Sequence, residues 1–149
     1  MTEQQLPDLE RLMAGNPASG ILRSFALFEY GFRPFFLMAG LYAALALVLW
    51  LLAWFGTIEL GGAWPGASWH GHEMFFGFAT AAVAGFMLTA VPGWTNTPAL
   101  RGPPLMALAA LWLAGRLAMW AGAALAPLVV ALVDLAFLPL LAVAVAAPL

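Results

Sequence analysis

The stretch Trp69-His70-Gly71-His72-Glu73-Met74 holds both histidines of this chain, followed by a carboxylate and a thioether. Imidazole suits copper, zinc and haem iron, and a thioether nearby favours Cu(I). His70, His72, Glu73 and Met74 are therefore the candidate metal ligands, and His70 and His72 are also candidate cofactor-binding residues. On a helix, residues two apart point to nearly opposite sides, about 200° round. Both imidazoles then reach one ion only if the segment is not yet helical, which Gly71 would permit; otherwise they serve two centres. Glu73 would offset the positive dipole of a helix entrance, as a direct ligand or by accepting an imidazole N–H. His72, the deeper histidine, is the one expected to matter most. The plainer alternative is a pair of interfacial histidines bonded to headgroups and loop carbonyls.

Two further ionisable groups lie inside apolar runs, Arg116 between Trp112 and Trp120, and Asp134. An arginine in mid-span costs at least ~2.5–3.5 kcal/mol on insertion scales, so its presence asks for a partner. One reading is a structural ion pair, Arg116 with Asp134, with the guanidinium stacked on the flanking tryptophans. The other makes Arg116 a cofactor-binding residue, the counter-charge of an anion such as a haem propionate. Glu73 and Asp134 could relay protons or serve as helix–helix hydrogen bonds. Counted from the expected helix ends, His70, His72, Glu73, Asp134 and Arg116 descend as a ladder through one half of the membrane. No catalytic residue is indicated.

The elements that position these groups are dictated by composition. The chain is 64% apolar and 8% charged, with no lysine, whereas a soluble domain needs about a quarter of its residues charged. It is an integral membrane protein, and the lipid bilayer is its first partner. The net charge of −2 and the lack of a basic patch exclude nucleic-acid binding. The absence of cysteine excludes disulfides, iron–sulfur clusters and thiolate metal sites.

The fold class expected is all-α, a polytopic membrane helix bundle of four transmembrane helices preceded by an interfacial amphipathic helix. Residues 1–20 carry acids early and no apolar run, so they read as a cytoplasmic tail and not as a signal peptide. Ile21, Phe25, Phe28 and Phe32 recur at helical spacing, with Glu29 four residues before Arg33, which outlines the interfacial helix. Residues 21–149 form a single membrane domain with spans at about 35–55, 70–91, 105–126 and 128–147. The first run, at ~1.5 Å per residue, crosses a hydrocarbon core of ~30 Å. Glu73, Gly77, Ala81, Gly85 and Thr89 fall four apart, a stripe that lets another helix approach closely. A second small stripe runs Ala110, Ala114, Ala118, Gly122 and Ala126. Pro139 is expected to kink the fourth span. Arg11, Arg23, Arg33 and Arg101 fall on one side, and by the positive-inside rule that side and the N-terminus are cytoplasmic. The abrupt apolar end reads as that of an N-terminal fragment of a longer protein.

Taken together, Phe32-Arg33-Pro34-Phe35-Phe36, the Trp69–Met74 stretch with Gly77-Phe78, the run from Gly85 to Thr95, and Leu111-Trp112-Leu113-Ala114-Gly115-Arg116 resemble the N-terminal part of the NnrS family. The resemblance implies a haem- and copper-containing protein of the bacterial inner membrane, linked to nitric oxide and nitrosative stress. It also implies further C-terminal transmembrane helices as partners. It does not assign ligands; those on His70 and His72 rest on their chemistry. Two other classes stay open: a membrane transporter conducting protons or a small solute along the polar ladder, and a structural membrane subunit. The sequence leaves oligomeric state open.

Overall fold

The computed structural model describes residues 26–60 and 65–147, and among them there is no strand. Four helices are long and apolar enough to cross a membrane: α1 Phe32–Trp54, α2 Gly66–Thr95, α3 Pro103–Trp120 and α4 Pro127–Ala146. The chain is an all-α membrane bundle. The tail at 1–20 and residues 21–25 of the expected interfacial helix lie outside the described residues. The next residues, Ala26–Glu29, form a single 3-10 turn and not a turn of α-helix. Arg33 ties it to α1 by bonding Glu29 at 3.1 Å and the carbonyl of Ala26 at 2.6 Å.

Proline and glycine set most of the helix ends. Pro34 falls in the first turn of α1, where its missing N–H is not needed. Asn96 closes α2 in the left-handed conformation, with φ 54°. Gly102, with φ 66°, redirects the chain into Pro103 and Pro104 at the start of α3. Pro127 starts α4. The fourth span is interrupted between Leu135 and Phe137. The cause is Pro139, whose ring lacks an N–H and crowds the carbonyl four residues before it.

α2 runs on through Pro92 to Thr95 and does not stop at Val91, and two further boundaries that differ from the sequence reading matter to the site. α2 begins at Gly66, directly after Pro65, and not at His70. α3 ends at Trp120 and not at Ala126, the chain passing through turns at 121–125. Gly122 weakens a helix there, and Pro127 forces Ala126 into the extended conformation it adopts, with ψ 135°.

α2 is the central helix, packing on α1 along its length and meeting α3 and α4 on its other side. Its small-residue stripe is the face turned to α1: a Cβ on Gly85 would lie 2.8 Å from the Phe36 ring. Such approach compensates for the weak hydrophobic drive between helices in lipid. The stripe expected on α3 does not pack as a unit, since Ala110 and Ala126 are exposed. The face α3 buries runs through Leu105, Leu108, Ala109, Trp112, Gly115 and Arg116, so Arg116 points inward. Towards the Arg33 and Arg101 end the interior is apolar, built from Phe35, Ala39, Ala81, Ala84, Leu88, Phe137 and Leu141.

Candidate functional site: a buried charge cluster

Glu73 and Asp134 each lie roughly 10 Å inside the end of their helix at ~1.5 Å per residue, and Arg116 lies one turn inside Trp120. The ladder expected from the sequence is thereby replaced by one cluster at a common depth. The earlier start of α2 lowers Glu73, and the earlier end of α3 raises Arg116. Arg116 donates through Nη1 to Glu73 Oε2 at 2.7 Å and through Nη2 to Asp134 Oδ1. These three side chains are 3%, 0% and 3% exposed. One guanidinium fork thus bridges carboxylates from two other helices. Gly115 makes this possible, because a Cβ there would lie 3.2 Å from the Asp134 backbone. A larger residue would hold α4 away from the guanidinium.

His72 completes the cluster. Its Nδ1 lies 3.3 Å from Glu73 Oε1 and its Nε2 3.1 Å from Asp134 Oδ2, while Phe76 stacks on the ring at 4.6 Å. Each contact needs a hydrogen, and a neutral imidazole carries only one. An imidazolium would supply both, and two carboxylates, one guanidinium and one imidazolium would sum to zero charge.

Tyr42 of α1 donates its hydroxyl to Glu73 Oε2 and accepts from Trp120 Nε1 at 3.1 Å. Its ring meets Trp112 edge-on at 5.3 Å. Trp112 in turn donates from Nε1 to the carbonyl of Gly77 at 3.1 Å. The two tryptophans therefore frame Tyr42, and no cation–π contact to Arg116 exists among the described residues. The Gly77 carbonyl belongs to a π-helical segment, Glu73–Ala79. That widened turn frees carbonyls for side chains, and Thr80 Oγ1 also donates to Phe76. Gly77 is itself required by Tyr42, since a Cβ there would come within 2.5 Å of the ring.

The remaining sequence-predicted residues lie apart. Gly71 stays helical, so His70 and His72 diverge as helical geometry dictates. His70 stacks on Trp50 of α1 at 4.3 Å, and its buried Nδ1 has no hydrogen-bond partner among the described residues. Met74 packs against the apolar core. Among the described residues no three of His, Asp and Glu are arranged to hold a metal ion. Arg116 gives both Nη groups to carboxylates, which would repel an anion, and its buried Nε has no hydrogen-bond partner among the described residues. A cleft of about 500 Å³ opens at the opposite end of the bundle, lined by groups that include Leu88, Pro92, Leu100, Arg101 and Val145. No imidazole, thioether or carboxylate lines it.

Tyr42 and the π segment escaped the sequence reading, and Trp112 and Trp120, expected to stack on Arg116, serve Tyr42 and the Gly77 carbonyl instead. One signal for Tyr42 was available, as it is the sole hydroxyl in α1. The π segment had none.

A family model described as NnrS protein matches residues 26–149. No curated protein and no solved structure matches the chain.

Proposed function

The chain belongs to the NnrS family, and from that membership we propose an integral membrane protein acting in the bacterial response to nitric oxide and nitrosative stress. The observation that carries the reading is a family match over residues 26–149, which takes in all four helices. We place the protein in the bacterial inner membrane as one membrane domain, residues 21–149, after a cytoplasmic tail. Arg33 and Arg101 support that orientation, because the backbone bond from Gly102 N–H to the Phe28 carbonyl, 2.8 Å, holds their segments at one end. By the positive-inside rule that end is cytoplasmic, and the cluster lies in the outer half.

The family is associated with haem and copper, and further helices of a longer protein would complete any site for them. The donors of this chain do not fit one centre, because His70 and His72 diverge and both carboxylates are bound to Arg116. The conducting reading is disfavoured by the inner half of the bundle. Below the cluster the one buried polar side chain among the described residues is Thr80, whose hydroxyl is spent on the Phe76 carbonyl, and the rest of the buried set is apolar or glycine.

Complementation tests the proposal. A strain lacking the gene should grow poorly under nitric oxide and recover with the full-length gene. Equal growth of both strains under nitric oxide would sink the reading.

A further inference from the structure

We infer that His72 is not a cofactor ligand and is the fourth member of a closed charge lock that fastens α4 to α2 and α3. The inference rests on the family reading only in asking where haem and copper are not held. A metal ligand must offer a ring nitrogen with its lone pair free, and His72 offers none. One nitrogen faces Glu73 Oε1 at 3.3 Å and the other faces Asp134 Oδ2 at 3.1 Å. Freeing either would leave a buried carboxylate short of a partner, which is costly in a medium that cannot solvate it. Nor can the carboxylates turn to a metal together with the ring. Glu73 Oε2 is already shared by Arg116 and Tyr42, and Asp134 Oδ1 is taken by Arg116. The stacked Phe76 ring fixes the imidazole plane.

Four elements meet here. α2 supplies Glu73 and His72, α3 supplies Arg116, α4 supplies Asp134, and α1 caps the cluster with Tyr42. The charged groups facing His72 are Glu73 from its own helix, Asp134 from α4, and Arg116 behind both. Within lipid, where apolar faces have no drive to associate, such bonds and close packing are what choose helix neighbours. His70 differs in each respect. It faces α1, meets no carboxylate, and keeps a buried nitrogen without a partner among the described residues.

The test uses the full-length protein purified in detergent, with haem read from its absorption spectrum, copper by elemental analysis, and stability by thermal unfolding. His72→Leu and His72→Gln should retain the wild-type haem and copper per folded protein while melting several degrees lower. Glutamine should recover part of the loss seen with leucine, because its amide donates to one carboxylate. The effect of His72→Leu should also shrink when Asp134→Asn is already present, a coupling that ligation of a cofactor would not produce. If leucine prevents folding, the glutamine variant carries the comparison. Loss of haem or copper from a His72 variant that melts with wild type would overturn the inference. Wild-type protein holding neither group would remove the cofactor side of the family reading, and the coupling to Asp134 would then decide the lock alone.

Discussion

Replacing Arg116 by methionine should be among the most damaging single substitutions in the chain. The side chain is 3% exposed and serves two carboxylates on two other helices. Removing one partner of a buried ion pair costs ~3–5 kcal/mol, because the charge left behind is not solvated. Here two acceptors are stranded together, so the upper end, about 5 kcal/mol, applies. For a chain of this size each kcal/mol moves the melting temperature by ~2–4 °C, giving a fall of roughly 10–20 °C. The triple variant Arg116→Met, Glu73→Gln, Asp134→Asn removes the whole ionic set and should recover more than half of that loss. Thermal unfolding in detergent, followed by tryptophan fluorescence, measures both. A triple variant that melts lower than Arg116→Met by the summed effects of the other two changes would refute the reasoning, since independent sites add.

Gly77→Ala should destabilise by ~1–3 kcal/mol through overpacking on the Tyr42 ring, whereas Gly40→Ala on α1, with nothing within 4 Å, should leave the melt unchanged or raise it slightly, since alanine favours a helix. Tyr42→Phe deletes the hydroxyl that bonds Glu73 and receives Trp120, and the buried Glu73 carboxylate left short should cost ~1–3 kcal/mol. A cysteine at Glu59 should react with a membrane-impermeant thiol reagent in cells whose inner membrane is intact, and labelling only after permeabilisation would reverse the proposed orientation.

The bundle was legible because the apolar runs Phe35 to Phe55 and Phe75 to Val91 carry no charge, and because Pro34 and Pro127 mark helix starts, whereas Pro103, read as loop, begins α3. The approach of α1 to α2 was legible from the spacing of Gly77, Ala81 and Gly85. Helix ends without strong punctuation were not. Gly66 to Trp69 reads as loop by composition yet continues α2 outward, and the turn after Trp120 depends on Gly122 weakening a helix that alanines would otherwise extend. Those few residues moved Glu73 and Arg116 to one depth, turning a ladder into a cluster. The three-dimensional partners of His72 were invisible for a different reason. Asp134 reaches it from another helix, and rotation about the α4 axis is set by the close approach at Gly115, which sequence spacing does not encode. The nearness of His70, His72 and Met74 in sequence suggested a shared centre, and regular helical geometry at Gly71 separates them.

The closed cluster is tested most directly by solid-state NMR on the full-length protein in lipid, carrying ¹⁵N-histidine and ¹³C-carboxyl aspartate, with dipolar recoupling between the two labels. His70→Ala leaves His72 as the only labelled ring of this segment. Strong recoupling of its Nε2 to the Asp134 carboxyl, at the separation a 3.1 Å N···O contact imposes, and its loss in Asp134→Asn are the predicted results. Absence of recoupling, or a His72 resonance displaced by a bound metal, would contradict the account.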